Sequence, residues 1–121
     1  MQKPIMIKPV CKLYPLNHYK WGDDCDGWTF VENAKLSVKE ERMPAGSLEV
    51  KHYHKDAQQF FYILKGVATF EMDAEQIELI SGEGLHILPG TSHRISNKTS
   101  QDLEFLLCSQ PSTIDDRIKS E

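Results

Sequence analysis

The sequence predicts an all-β barrel or sandwich, on three observations. Runs rich in aromatic and β-branched residues recur at intervals of 8–12 residues from residue 34 onward. Glycine or proline separates nearly every pair of runs, and no helical period survives between them. At 121 residues, with 40% hydrophobic and 26% charged residues, the chain has room for one core of ordinary globular balance.

Residues 1–33 read as an irregular arm. Pro9, Pro15, Gly22 and Gly27, with Asp23, Asp24 and Asp26, break any strand or helix period there. Trp21 and Trp28 lie inside this arm; they are expected to pin it to the barrel or to a second subunit, the other reading being that one roofs a ligand site. The barrel itself is assigned to residues 34–111. Leu36 and Val38 alternate with polar neighbours until Met43-Pro44-Ala45-Gly46 stops the run, and Val50 to His54 forms the next strand. Gln59 to Leu64 follows, then Lys65-Gly66 turns the chain into Val67 to Met72. Ile77 to Ile80 ends at Ser81-Gly82, Leu85 to Leu88 ends at Pro89-Gly90, and Leu103 to Cys108 ends before Pro111. Residues 112–121 form a polar tail, either a short helix or a frayed end.

Composition excludes several partners. Fourteen basic against eighteen acidic residues give a net charge of −4, without the basic footprint of a nucleic-acid or anionic-membrane surface. A small anionic ligand stays open, since one local cation outweighs a mildly acidic surface. No apolar run reaches the length of a membrane span, and Met1 to Pro9 lacks the apolar centre of a secretory signal. Cys11, Cys25 and Cys108 are odd in number and have no Cys-x-x-Cys spacing. They read as reduced thiols, and the expected compartment is the cytoplasm.

The chemistry is expected at the histidines. His52 and His54 stand two apart on a predicted strand, so both imidazoles leave the same face, about 7 Å apart at their Cα atoms. Gln59 opens the next strand and shares parity with Phe61 and Ile63, which should face inward. His93 follows the Pro89-Gly90-Thr91-Ser92 turn. Three imidazoles and one amide oxygen suit a first-row divalent metal with open positions for water or substrate. His-x-His alone is a weak signal, equally consistent with a solvated strand face.

Glycine punctuation strengthens it. Gly46, five residues, His52-x-His54, four residues, Gln59, six residues and Gly66 form one block. Gly82, seven residues, Gly90, two residues, His93, three residues and Asn97 form the second. These blocks closely resemble the two signature motifs of the cupin superfamily, a resemblance that spans residues 36–108. It implies a double-stranded β-helix, a small jelly-roll barrel of two antiparallel sheets holding a divalent metal (zinc, nickel, manganese or iron). Carried over, it makes His52, His54, Gln59 and His93 the metal ligands. Two positions depart from the pattern. Leu88 stands where a proline is usual, with Pro89 beside it, and Gln59 stands in the place of the common acidic ligand.

An amide leaves the metal its full charge of about +2, which sharpens Lewis acidity and attracts anionic or carbonyl oxygens. It also removes an anionic ligand that helps oxygen-activating iron sites. The favoured function is therefore a Lewis-acid isomerase, epimerase or lyase acting on a small polar, sugar-like molecule. A metal-dependent dioxygenase and a non-catalytic ligand-binding barrel are the alternatives. Small cupins that linearise unsaturated uronates share the His-x-His, Gln and His order. Their acid on the last strand and the Arg beyond it have no evident counterpart in Leu106, Leu107, Cys108 and Ser112, so that reaction is not assigned.

Catalytic candidates are weak. Glu49, three residues before His52, falls on the opposite face under regular alternation, as a partner for Lys51 or Arg42; only a local bulge would turn it inward as a general base. Arg94, beside His93, is placed to meet an anionic substrate at the barrel mouth. Tyr53, Tyr62 and His86 are expected in packing or interface roles, and His18 has no neighbours from which to argue. Exposed edges and the Phe60 to Tyr62 run suggest assembly. Related cupins commonly form homodimers with a crossing arm, and a homodimer is expected here.

Overall fold

A computed structural model describes residues 8–120. Eleven strands make up its regular structure, and the described residues contain no helix. One antiparallel sheet has six strands: β1 (Asn17–Trp21), β2 (Cys25–Glu32), β3 (Ser37–Met43), β10 (Leu103–Gln110), β5 (Gln58–Lys65) and β8 (Gly84–Ile87), in that spatial order. The second has five: β11 (Ile118–Lys119), β4 (His52–Tyr53), β9 (His93–Ser96), β6 (Val67–Met72) and β7 (Gln76–Ile80).

The inner faces of both sheets meet in one core. Met43, Ile63, Phe70, Ile95, Leu103 and Phe105 are fully buried there. Phe61 packs edge-on against Phe70 at 4.9 Å between ring centroids and leans on Phe105 at 5.6 Å, the offset geometry aromatic rings prefer. In β5, Gln59, Phe61 and Ile63 are buried while Gln58, Phe60, Tyr62 and Leu64 are exposed. The strand therefore carries one amide into the barrel among apolar neighbours, as its parity predicts. Gly66 joins β5 to β6 at φ +87°, and a Cβ there would strike the carbonyl of Asp102, so only glycine fits this turn.

Residues 1–7 of the expected arm and residue 121 of the expected tail lie outside the described residues, and two described segments depart from expectation. The segment read as an irregular arm contains a hairpin: β1 pairs β2 from Asn17↔Thr29 to Trp21↔Cys25, and β2 pairs β3. Gly22 (φ +50°) and Asp24 (φ +61°) build its tight turn, so these residues mark a hairpin rather than a loop. The six-stranded sheet thus runs across the expected boundary at residues 33 and 34. Trp28 stacks on His18 at 5.3 Å with Lys12 over its ring, while Trp21 packs against the core. The tail is neither helix nor frayed: β11 pairs with β4 through Ile118↔Tyr53 and Lys119↔His52.

Candidate metal centre

His52 and His93 face one another as a register pair between β4 and β9, and His54 follows one residue after β4. Their ring centroids lie 4.6 Å (His52–His93), 4.9 Å (His52–His54) and 5.8 Å (His54–His93) apart. One ligating nitrogen from each falls within 4.8 Å of the others, so the three can hold a metal ion. All three are buried.

Main-chain carbonyls set the tautomer of each ring. Nδ1–H of His52 donates to the carbonyl of Val50 and that of His93 to Thr91, both at 2.8 Å, and that of His54 to Asp116. A carbonyl only accepts, so each ring keeps its proton on Nδ1 and presents an unprotonated Nε2. Nε2 of His54, Nε2 of His93 and Oε1 of Gln59 are buried without any hydrogen-bond partner. Buried acceptors left bare are costly, and a divalent cation would satisfy them together. Gln59 is held by its own Nε2–H, which donates to Ser109 Oγ at 3.1 Å, leaving the amide oxygen free.

Electrostatics keep the cluster neutral. Burial, then the Arg117 guanidinium and the other two imidazoles, lowers His52 to about 3. Burial lowers His93 to about 4, with His54 and Arg117 adding to it, and burial also lowers His54. The imidazoles are thus ready as ligands near neutral pH.

A pocket of about 420 Å³ opens over this cluster, lined in part by His52, His54, Gln59, Phe61, Glu41 and Glu49. Glu49 lines it because the predicted alternation fails. The chain takes four steps from Leu48 to His52 while its partner takes three, from Ser96 to His93. That extra residue is a bulge, and it turns Glu49 inward rather than toward Lys51 or Arg42. Glu49 Oε1 lies 3.8 Å from His52 Nδ1 and accepts the Ile95 N–H at 3.3 Å, while Oε2 lies 3.6 Å from Arg117. Burial pushes its carboxyl up to about 8, reinforced by the Glu41 charge and opposed by Arg117 and the Ile95 N–H.

Arg94 does not line the pocket. It sits opposite Glu71 in the β6–β9 ladder and bonds to that carboxylate at 2.8 Å, because its parity is opposite to that of His93. The cations lining the pocket are Lys39, from β3, and, from the tail, Arg117. Residue spacing could not find it, because the tail's return to β4 brings it there. Trp21 and Tyr19 enter the pocket from β1, itself unread as a strand. Tyr19 donates its hydroxyl to the buried carboxylate of Glu41, which burial holds above the usual carboxylate range. His86 is exposed and bonds to Gln58, and Glu104 pairs with Lys12.

Two antiparallel sheets closed over a buried histidine cluster define a double-stranded β-helix with an internal pocket. A family model described as a cupin domain matches residues 39–109, and the chain belongs to that family. An uncharacterised protein of Methanocaldococcus jannaschii is 34% identical over 80 residues, 66% of this chain and 64% of that one. An uncharacterised HTH-type transcriptional regulator of Bacillus subtilis is 40% identical over 55 residues, 46% of this chain and 19% of its own length. Both alignments thus span less than two thirds of the relative. Among solved structures, KdgF from Halomonas sp. has a TM-score of 0.74 at 16% identity, over 82% of this chain and 89% of that one. A predicted oxalate decarboxylase of Thermotoga maritima has 0.71 at 21%, over 79% and 91%. A sugar phosphate isomerase of Silicibacter pomeroyi has 0.65 at 16%, over 73% and 60%. These likenesses establish the fold. Among the described residues, no helix is long and apolar enough to cross a membrane.

Proposed function

We propose that this cupin is a metal-dependent isomerase or lyase that moves a proton on a small hydroxy-carbonyl substrate, the class that includes sugars and sugar acids. One observation carries the reading: bare buried acceptors of the His54, His93 and Gln59 side chains accompany an inward carboxylate, Glu49, at one pocket. His52, His54, His93 and Gln59 are the proposed ligands. A divalent metal held there supplies Lewis acidity toward a carbonyl or hydroxyl oxygen.

The remaining work falls to the chain. Glu49 is the proposed proton carrier; a carboxyl raised by burial both accepts and releases a proton near neutral pH. Arg117, 3.6 Å from Glu49 Oε2, is placed to draw an anionic substrate group toward that carboxyl. Phe61 and Leu107 present apolar wall that limits water around the reacting atoms.

The test pairs elemental analysis of purified protein with deuterium incorporation from D2O into a panel of hydroxy-carbonyl compounds. The expected result is about one first-row metal per chain, and exchange that Glu49→Gln abolishes while metal content is unchanged. Bound iron with oxygen uptake would move the reading to a dioxygenase. A metal-free chain that cannot be loaded would leave a non-catalytic binding barrel.

A further inference from the structure

The outer half of the pocket carries a different chemistry from its floor. Leu48, Val50 and Ile114 line the opening while 51%, 55% and 65% exposed. Trp21 joins them from β1, its indole fixed by a 3.1 Å hydrogen bond from Nε1–H to the carbonyl of Asp26. Scattered apolar side chains on a surface are ordinary, but these four come from three separate segments to one mouth. Leu48, Val50 and Ile114 lie outside the buried core, so the fold does not require them to be apolar.

The interior is cationic once a metal is bound. The proposed ligands are neutral, so the ion keeps about +2. Lys39 and Arg117 add two positive charges at the pocket wall, and Glu41 and Glu49 subtract at most two. Lys39 makes no ion pair among the described residues; its ammonium lies over the Tyr19 ring, 5.4 Å from the centroid. An anionic head with an apolar body complements both halves, whereas a polyol would leave the collar against water and hydroxyls.

We propose that the pocket takes a small carboxylic acid with an apolar body, a 2-hydroxy or 2-oxo acid, rather than a polyhydroxylated one. Its oxygens go to the metal end and Arg117, and its hydrocarbon part lies between Trp21 and the Leu48, Val50 and Ile114 side chains. The inference rests on the metal-centre reading above and narrows its substrate class.

Isothermal titration of the zinc-loaded chain with 2-hydroxyhexanoate, gluconate and 1,2-hexanediol tests it, the three probes having equal carbon count. 2-Hydroxyhexanoate is expected to bind at least about tenfold more tightly than gluconate, the discrimination that a few buried methylenes supply. The uncharged diol should not bind measurably. Val50→Ser and Ile114→Ser, both at exposed positions, should weaken 2-hydroxyhexanoate several-fold and leave gluconate unchanged. Equal or tighter gluconate binding, a diol that matches the acid, equal effects of the collar variants on both acids, or no binding by a loaded chain would each overturn the proposal. A chain that takes up no zinc would instead overturn the metal reading, and this proposal with it.

Discussion

The main-chain carbonyl of Asp116 accepts the Nδ1 proton of His54, while the Asp116 carboxylate accepts three N–H groups, from Lys55, Asp56 and Ala57. One tail residue thereby fixes both an imidazole of the candidate metal cluster and the turn that follows it. Such support is needed because β4 is only two residues long and shares a single register pair with β9. Asp116→Ala strands three amides and frees the carbonyl to drift. We expect zinc affinity to fall about tenfold or more, the usual cost of losing a group that orients a ligand. Competition with a chromophoric chelator measures it; an unchanged affinity would show that His54 is oriented without the tail.

Because burial and the Arg117 charge lower all three imidazoles from their ordinary value, zinc displaces fewer protons from them than from solvated histidines. Glu49, 3.8 Å from His52, is a further group that would release a proton, so Glu49→Gln removes that contribution. In that variant at pH 5.5, zinc uptake should release at most about one proton, because His52 and His93 are held well below that pH. Three solvated imidazoles with ordinary values near 6.5 would release about 2.7. Calorimetry in two buffers of different ionisation enthalpy reads the count directly. A release above two protons would mean that the cluster is hydrated and charged before metal arrives.

Most of the barrel and much of this site were legible because they depend on spacing. Gln59 lies inward by simple alternation with Phe61 and Ile63, and His52 meets His93 where two strands pair antiparallel. Glu49 was a candidate only on condition of a bulge, and the bulge itself was not legible, because a single inserted residue between the Leu48 bridge and His52 reverses the face of Glu49 and leaves no compositional trace. Arg117 was not legible because its place depends on a tail that returns to pair with β4. The β1–β2 hairpin was hidden by Gly27, a residue that normally interrupts strands.

Gly27 is present for a close approach. It pairs with Tyr19 on one side and Glu41 on the other, and a Cβ at this position would overlap the Tyr19 ring. The ring lies across the glycine so that its hydroxyl reaches the buried Glu41 carboxylate. Gly27→Ala should displace the ring, leave Glu41 without its donor, and cost about 2 kcal/mol or more. A fall in Tm of roughly 10 °C is expected for a domain of this size. A fall below about 2 °C would mean that Tyr19 turns aside freely and that the contact is dispensable.

Gln59→Glu would place an anionic group at the position of the proposed amide ligand. The carboxylate can still receive a hydrogen bond from Ser109 Oγ, the present partner of the amide, and can turn its second oxygen to the metal. Zinc affinity should rise about tenfold or more, since the attraction of opposite charges outweighs an ion–dipole contact in a buried site. Proton exchange on substrate should fall at the same time, because the added negative charge weakens the pull of the metal on a carbonyl oxygen. Chelator competition and deuterium incorporation measure the two effects separately. Tighter zinc with faster exchange would show that ion retention, rather than Lewis acidity, limits the wild-type chain.

The two arginines should separate cleanly. Arg94 is bound to Glu71 at a partly exposed site outside the pocket lining, an arrangement typically worth no more than about 1 kcal/mol. Arg94→Ala is therefore expected to leave both zinc affinity and carboxylate binding unchanged. Arg117 lines the pocket beside the candidate metal cluster and is among the groups that push down all three imidazoles. Removing its charge relieves a repulsion, so Arg117→Ala should keep zinc affinity equal or slightly stronger while weakening a bound carboxylic acid about tenfold or more. Titrating each zinc-loaded variant with 2-hydroxyhexanoate measures the difference. If Arg94→Ala weakened the acid and Arg117→Ala did not, the ligand would have to enter along β9, and the tail would be only a strut for His54.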